Sequence, residues 1–218
     1  MNLERTSIKK EAKQKLKGNL VSMMIVMSIS IVINIVDFIL SPVELGPAFM
    51  SLVLQFVTIL VSFVSINLGL NIARNKQPNI AESFKYIAGK YFKLLGAQIL
   101  LSLIILGGII LFVVPGIILA LKFNFTVNLL IDNPDMGIME ALKESSALTQ
   151  NHKMDLFIFQ LSFIGWVLLI IVTLGLASFY VQPYMLTATC VYYTKLLGED
   201  NRCVGEQPYV EKSEIDLQ

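Results

Sequence analysis

Six polar side chains stand inside long apolar runs of this sequence: Asp37, Lys122 and two Asn-x-x-x-Asn pairs, Asn67 with Asn71 and Asn124 with Asn128. An ionised side chain at the centre of a bilayer costs about 2.5 to 3.5 kcal/mol on insertion scales, so each needs a partner, a polar cavity or a route to the surface. Asp37 lies three residues before the end of one run, and Lys122 lies six residues past Pro115-Gly116. At the helical rise both sit roughly 5 to 9 Å below the same boundary. Two readings follow: the two pair or share one polar cavity, or each snorkels separately to the surface. The four-residue spacing of the asparagines puts each pair on one helical face, and the two helices carrying them run in the same direction. Their amides either hydrogen-bond between helices or line a cavity that contacts a solute.

Other chemistry is thin. Trp166 lies mid-run with Ser162 one turn earlier and Gly165 beside it, a pattern for close helix contact in which the indole N–H finds an acceptor. Pro183 removes a backbone donor inside the last run and is expected to bend that helix, with Gln182, Thr187 and Thr189 near enough to compensate. The single histidine, His152, falls in a polar segment and reads as a solvated loop residue. There is no H-E-x-x-H motif, no G-x-S-x-G elbow and no phosphate-cradling glycine loop. A non-enzymatic protein without metal or cofactor is therefore expected.

These residues must be held by elements that lipid solvates. Apolar residues make up 55% of the 218 positions and charged residues only 15%, against roughly 25% charged in a soluble domain. The apolar residues come in blocks of membrane-spanning length. The expected class is an all-α polytopic membrane bundle with six transmembrane helices, at about 20–40, 47–73, 94–114, 117–131, 156–173 and 179–197. The first block follows basic residues but is too long for a secretory signal and lacks a cleavage site, so an uncleaved span is expected. Pro115-Gly116 supplies a reversal between the third and fourth spans, and small residues with Gly175 divide the last two.

Between the spans, residues 74–93 and a segment opening at Asn133-Pro134-Asp135 read as amphipathic interfacial helices, the second with Ile138, Ala141, Leu142, Ser145 and Leu148 on one face. Residues 1–19 form a basic amphipathic segment, with Leu3, Ile8, Ala12 and Leu16 among six Lys and Arg, ended by Gly18-Asn19. It suits an anionic leaflet, or is a solvated stub that sets orientation. Residues 198–218 are polar and read as a disordered tail. Sixteen of the seventeen basic residues fall on one side of the six-span arrangement, which the positive-inside rule places in the cytoplasm with both termini. Cys190 and Cys203 read as free thiols there.

The element Leu161-Ser162-Phe163-Ile164-Gly165-Trp166 resembles the bacterial integral membrane family called domain of unknown function 975. Pro115-Gly116-Ile117, Asp132-Asn133-Pro134, Glu140-Ala141 with Ser145, Pro183-Tyr184 and Tyr192-Tyr193 are similar as well, in the family's order. The resemblance implies a bacterial plasma membrane and no particular activity. The expected role is a membrane interaction or accessory protein in envelope homeostasis or in protection against membrane-active peptides. The alternative is a small transporter or channel around the six polar residues. The bilayer itself, another membrane protein or a second copy are the expected partners; nucleic acid is not.

Overall fold

Uninterrupted helical periodicity makes the first element longer than the sequence pattern suggested. In the computed structural model, which describes residues 5–40, 47–111 and 113–203, helix α1 (Arg5–Leu40) is one rod of 36 residues. That is about 54 Å, well beyond the roughly 30 Å of a bilayer core. The expected break at Gly18-Asn19 is absent, because one glycine costs a helix only about 1 kcal/mol and packing on both sides outweighs it. Ile8, Ala12 and Leu16 are buried, and the stripe continues into Met23 and Val26. It faces protein; Leu3 lies outside the described residues.

The remaining helices are α2 (Pro47–Ala73), α3 (Ile80–Ala88), α4 (Tyr91–Leu111), α5 (Val113–Lys122), α6 (Thr126–Asp132), α7 (Ile138–Thr149), α8 (Lys153–Leu161), α9 (Ile164–Val172) and α10 (Ser178–Cys203). Among the described residues there is no strand. Five helical stretches are long and apolar enough to cross a membrane: Thr6–Asp37, Phe49–Ala73, Tyr91–Ile110, Pro115–Asp132 and Lys153–Val172. The expected sixth, α10, has the length but not the hydropathy. It packs on α1 and α2 and also buries Thr187, with Tyr192 and Tyr193 against Phe125 and Tyr184 against Phe163, so protein rather than lipid surrounds these side chains. It also runs past the expected boundary at 197, as far as Cys203.

Two expected spans are discontinuous. The fourth is split into α5 and α6 by a turn at residues 123–125, and the fifth into α8 and α9 at residues 162–163. Pro115-Gly116 is not the reversal it was expected to be: both residues lie in the first turn of α5, where a proline loses no helical hydrogen bond. The glycine serves packing instead. A Cβ on Gly116 would stand 3.0 Å from the Ile109 backbone nitrogen, and one on Gly108 would stand 3.0 Å from the Gly116 Cα, so α4 and α5 cross backbone to backbone. The divide before α10 occurs as expected, with Gly175 at φ +90° and Leu174 at φ +50°.

Helix α3 is capped by the Asn79 side chain, which accepts from the Ala81 and Glu82 amides. Helix α7 begins at Ile138, later than Asn133-Pro134-Asp135 suggested, where the Glu140 carboxylate accepts the Gly137 N–H at 3.2 Å. Its expected apolar face is buried at Ala141, Leu142, Ser145 and Leu148 and packs on α5 and α6.

Candidate functional site

Two chain segments that leave apolar helices with opposite charges meet at one end of the bundle. Arg74 follows α2 directly and Asp132 closes α6. The guanidinium donates from Nη1 to Asp132 Oδ1 at 2.8 Å and from Nη2 to Oδ2, a two-pronged pair. Tyr193 of α10 donates its hydroxyl to the same Oδ2 at 2.9 Å. The Tyr86 hydroxyl of α3 donates to the Ile131 carbonyl at 2.8 Å, and the Lys93 ammonium donates to the Pro134 carbonyl at 2.6 Å. Burial works against the Arg74 charge, but hydrogen bonding to Asp132 and its attraction outweigh it and hold the guanidinium above its ordinary pKa. A polar cavity of about 310 Å³ adjoins the pair, lined also by Asn67, Asn71, Lys76 and Glu82.

The first helix break lies against α8, the helix that ends at the second break. A broken helix leaves carbonyls and amides without partners, which apolar surroundings do not supply. Here α7 supplies them: the Ser145 and Thr149 hydroxyls both donate to the Lys122 carbonyl at 3.1 Å, and Ser145 Oγ accepts the Phe125 N–H at 3.3 Å. The Gln160 amide donates to Asn124 Oδ1 at 3.3 Å, joining α8 to the turn between α5 and α6. At the other break Lys9 donates to the Ser162 carbonyl at 3.4 Å, with its ammonium 4.6 Å from the Phe163 ring centre. Replacing Ser145 by alanine strips a buried N–H of its acceptor, and a loss of about 1 to 3 kcal/mol is expected. Thermal melting of the purified variant checks this; an unchanged midpoint removes α7 from its role at the break.

The structure does not bring the six intramembrane polar residues into one site. Asp37 accepts from the Ser51 hydroxyl at 2.8 Å. Among the described residues no ion pair joins it to Lys122, whose ammonium lies 5.4 Å from the Phe123 ring centre. Asn71 donates to Asn67 at 3.2 Å within α2, beside the Arg74 cavity. Asn124 and Asn128 line a separate cavity of about 680 Å³. Neither cavity is lined by Asp37 or Lys122.

The remaining motif residues have local roles. Ser162 caps α8 and donates to the Phe159 carbonyl. Trp166 is half-buried against Tyr184 and Tyr180, with ring centres at 5.7 and 6.4 Å. Gly165 does not make the expected close contact, since a Cβ there would meet nothing within 4 Å. Alanine at 165 is accordingly expected to raise stability by up to about 1 kcal/mol, read as a higher melting midpoint; a fall would place an unseen neighbour there. Pro183 is buried inside α10. Of the expected compensators, Thr189 donates to the Met185 carbonyl at 2.9 Å, while the buried Thr187 hydroxyl has no partner among the described residues. His152 lies in the turn before α8, half-buried, with its Nδ1 buried and unpartnered among the described residues.

No motif in the sequence marks Arg74, Asp132 and Tyr193 as a site. Arg74 opens the polar segment 74–93 like any basic loop residue, and Asp132 and Tyr193 stand out only among the residues that carry the family resemblance. The available signal was positional: opposite charges immediately follow two apolar runs that end on the same side.

An all-helical bundle with several membrane-length apolar helices is thus in place. Residues 104–200 match the family model described as protein of unknown function (DUF975), which bears out the resemblance over that stretch. It takes in both helix breaks, Asp132, Ser145 and Tyr193; Arg74 and the first asparagine pair precede it. No curated protein and no solved structure matches the chain.

Proposed function

We propose that this is a six-crossing protein of a bacterial plasma membrane, with α10 as the sixth crossing and both termini in the cytoplasm, acting as a non-enzymatic accessory protein in envelope homeostasis or protection against membrane-active peptides. The observation that carries the non-enzymatic reading is the Arg74–Asp132–Tyr193 cluster. Its charged and hydroxyl groups are directed at one another across α2, α6 and α10, the arrangement of a clamp that holds helices. The basic residues crowd the same end: Lys15 donates to the Ala73 carbonyl, and Glu11 bridges Lys15 at 2.9 Å and Lys195 at 2.7 Å. By the positive-inside rule that end is cytoplasmic. Deletion of the gene is expected to sensitise cells to cationic membrane-active peptides or to induce envelope stress. A deletion strain indistinguishable from its parent in both assays overturns the role, and a thiol reagent unable to reach a cysteine placed at Gly175 from outside the cell overturns the sixth crossing.

One observation favours a second reading, a small transporter or channel. Two interrupted helices joined by Gln160 and Asn124 resemble the broken helices around which transporters build midplane sites. Flux of ions, amphiphiles or peptides through vesicles holding the purified chain supports it, and tight vesicles dispose of it.

A further inference from the structure

The larger cavity is a groove on the side of the bundle. Helix α4 forms one wall with Gln98, Ser102, Leu106 and Ile109, all exposed, and the turn between α5 and α6 together with α6 forms the other with Asn124 and Asn128. From Gln98 to Ile109 the wall is about 16 Å long at the helical rise, roughly half of a hydrocarbon core and so the depth of one leaflet. Its volume of about 680 Å³ falls in the roughly 300 to 1,000 Å³ range of small-ligand sites.

The groove is also polarised along its length. Asn128 lies one turn from Asp132, and the Lys93–Pro134 hydrogen bond fixes the start of α4 at the same end. The amides of Gln98, Asn124 and Asn128 therefore cluster toward the basic end, while Leu106 and Ile109 line the part toward the Gly108–Gly116 crossing. A lipid of the adjoining leaflet has the same order, with ester carbonyls near the surface and hydrocarbon toward the centre. One donor just behind the groove wall is also unfilled: Asn124 Oδ1 is taken by Gln160, but Asn124 Nδ2 is buried and has no partner among the described residues. An amide N–H left so in apolar surroundings favours any acceptor that can reach it.

We propose that this groove holds one acyl chain of a diacyl lipid from the leaflet at the basic end, with an ester carbonyl accepting from Asn124 Nδ2 once that side chain turns toward the groove. Leu106 and Ile109 contact the chain, and Gln98 and Asn128 face the ester region. The proposal requires the bundle to sit in a bilayer but neither the accessory role nor the sixth crossing, so it fails or holds separately from them.

The test uses the full chain in vesicles of phosphatidylethanolamine and phosphatidylglycerol, with a small share of phosphatidylglycerol carrying a mid-chain diazirine on one acyl chain. After illumination, adducts are mapped by peptide mass spectrometry. They are expected to concentrate on Leu106, Ile109 and Ala120, at several times the yield on Val32 and Ile35, which are 55% and 52% exposed on α1. Asn124→Leu is expected to lower the groove adducts about fivefold, the effect of one neutral hydrogen bond, and Ala120→Trp to abolish them by filling the groove. In both variants unchanged labelling of Val32 and Ile35 shows that the bundle is intact. Equal yields on groove and α1, or groove labelling indifferent to both substitutions, overturn the proposal. Labelling by a diazirine fatty acid without labelling by the lipid overturns it in favour of a free fatty acid.

Discussion

Replacing Arg74 by alanine is expected to lower the melting midpoint of the purified chain by about 4 to 8 °C, through a loss of about 2 kcal/mol. The substitution leaves Asp132, whose side chain is only 12% exposed, as a carboxylate with Tyr193 as its remaining side-chain donor. Removing one member of a fully buried pair costs about 3 to 5 kcal/mol; the smaller value here reflects the Arg74 side chain, which is 34% exposed and partly screened by solvent. Asp132→Asn in the Arg74→Ala background is expected to recover part of the loss, because the stranded charge is gone. A double-mutant cycle decides the matter: losses that simply add show that the pair is not an energetic unit, whereas coupling above about 1 kcal/mol shows that it is.

The second large effect is expected at Gly116. A leucine there places its Cβ 3.0 Å from the Ile109 nitrogen and 3.1 Å from its Cα, and backbone atoms cannot step aside as a flexible side chain can. Helices α4 and α5 must separate, at a cost of about 3 kcal/mol from overpacking and from lost close contact between the helices. Gly116→Ala carries the same first clash and is expected to lose less, since its added volume ends at Cβ. Gly107→Ala, beside the crossing but with nothing within 4 Å of its Cβ, serves as the matched control. The share of monodisperse protein in mild detergent and its melting midpoint give the readout; equal behaviour of the 107 and 116 variants refutes the crossing.

How far the sequence reveals this molecule depends on what solvates each segment. Stretches that face lipid must be apolar all round, so the helices containing Val32, Phe56 and Leu103 announce themselves by composition. Helix α10 touches mostly protein, carries Thr187, Tyr192 and Tyr193 inward, and so lacks the hydropathy by which a lipid-facing helix is read. The breaks at 123–125 and 162–163 are equally hidden, because their backbone groups are satisfied by residues far along the chain, Ser145 and Lys9. No local pattern foretells that a lysine in the first helix will sit against Ser162. Asp37 and Lys122 stood out because a charge in an apolar run is conspicuous, yet the convergent site is built from Arg74 and Asp132, charges placed where charges are ordinary.

Helix α1 finds cover for Ile8, Ala12 and Leu16 in a bundle completed by α10, the helix that also carries Lys195 to Glu11. Helix α1 is therefore sealed by a helix that is made much later. Until α10 has been made the seam stays open, with an oily stripe flanked by lysines and no matching surface yet present. α10 acts as a keystone: a chain cut before Ser178 keeps most of its greasy helices but loses the one packed on both α1 and α2, and is expected to be degraded faster than the intact chain.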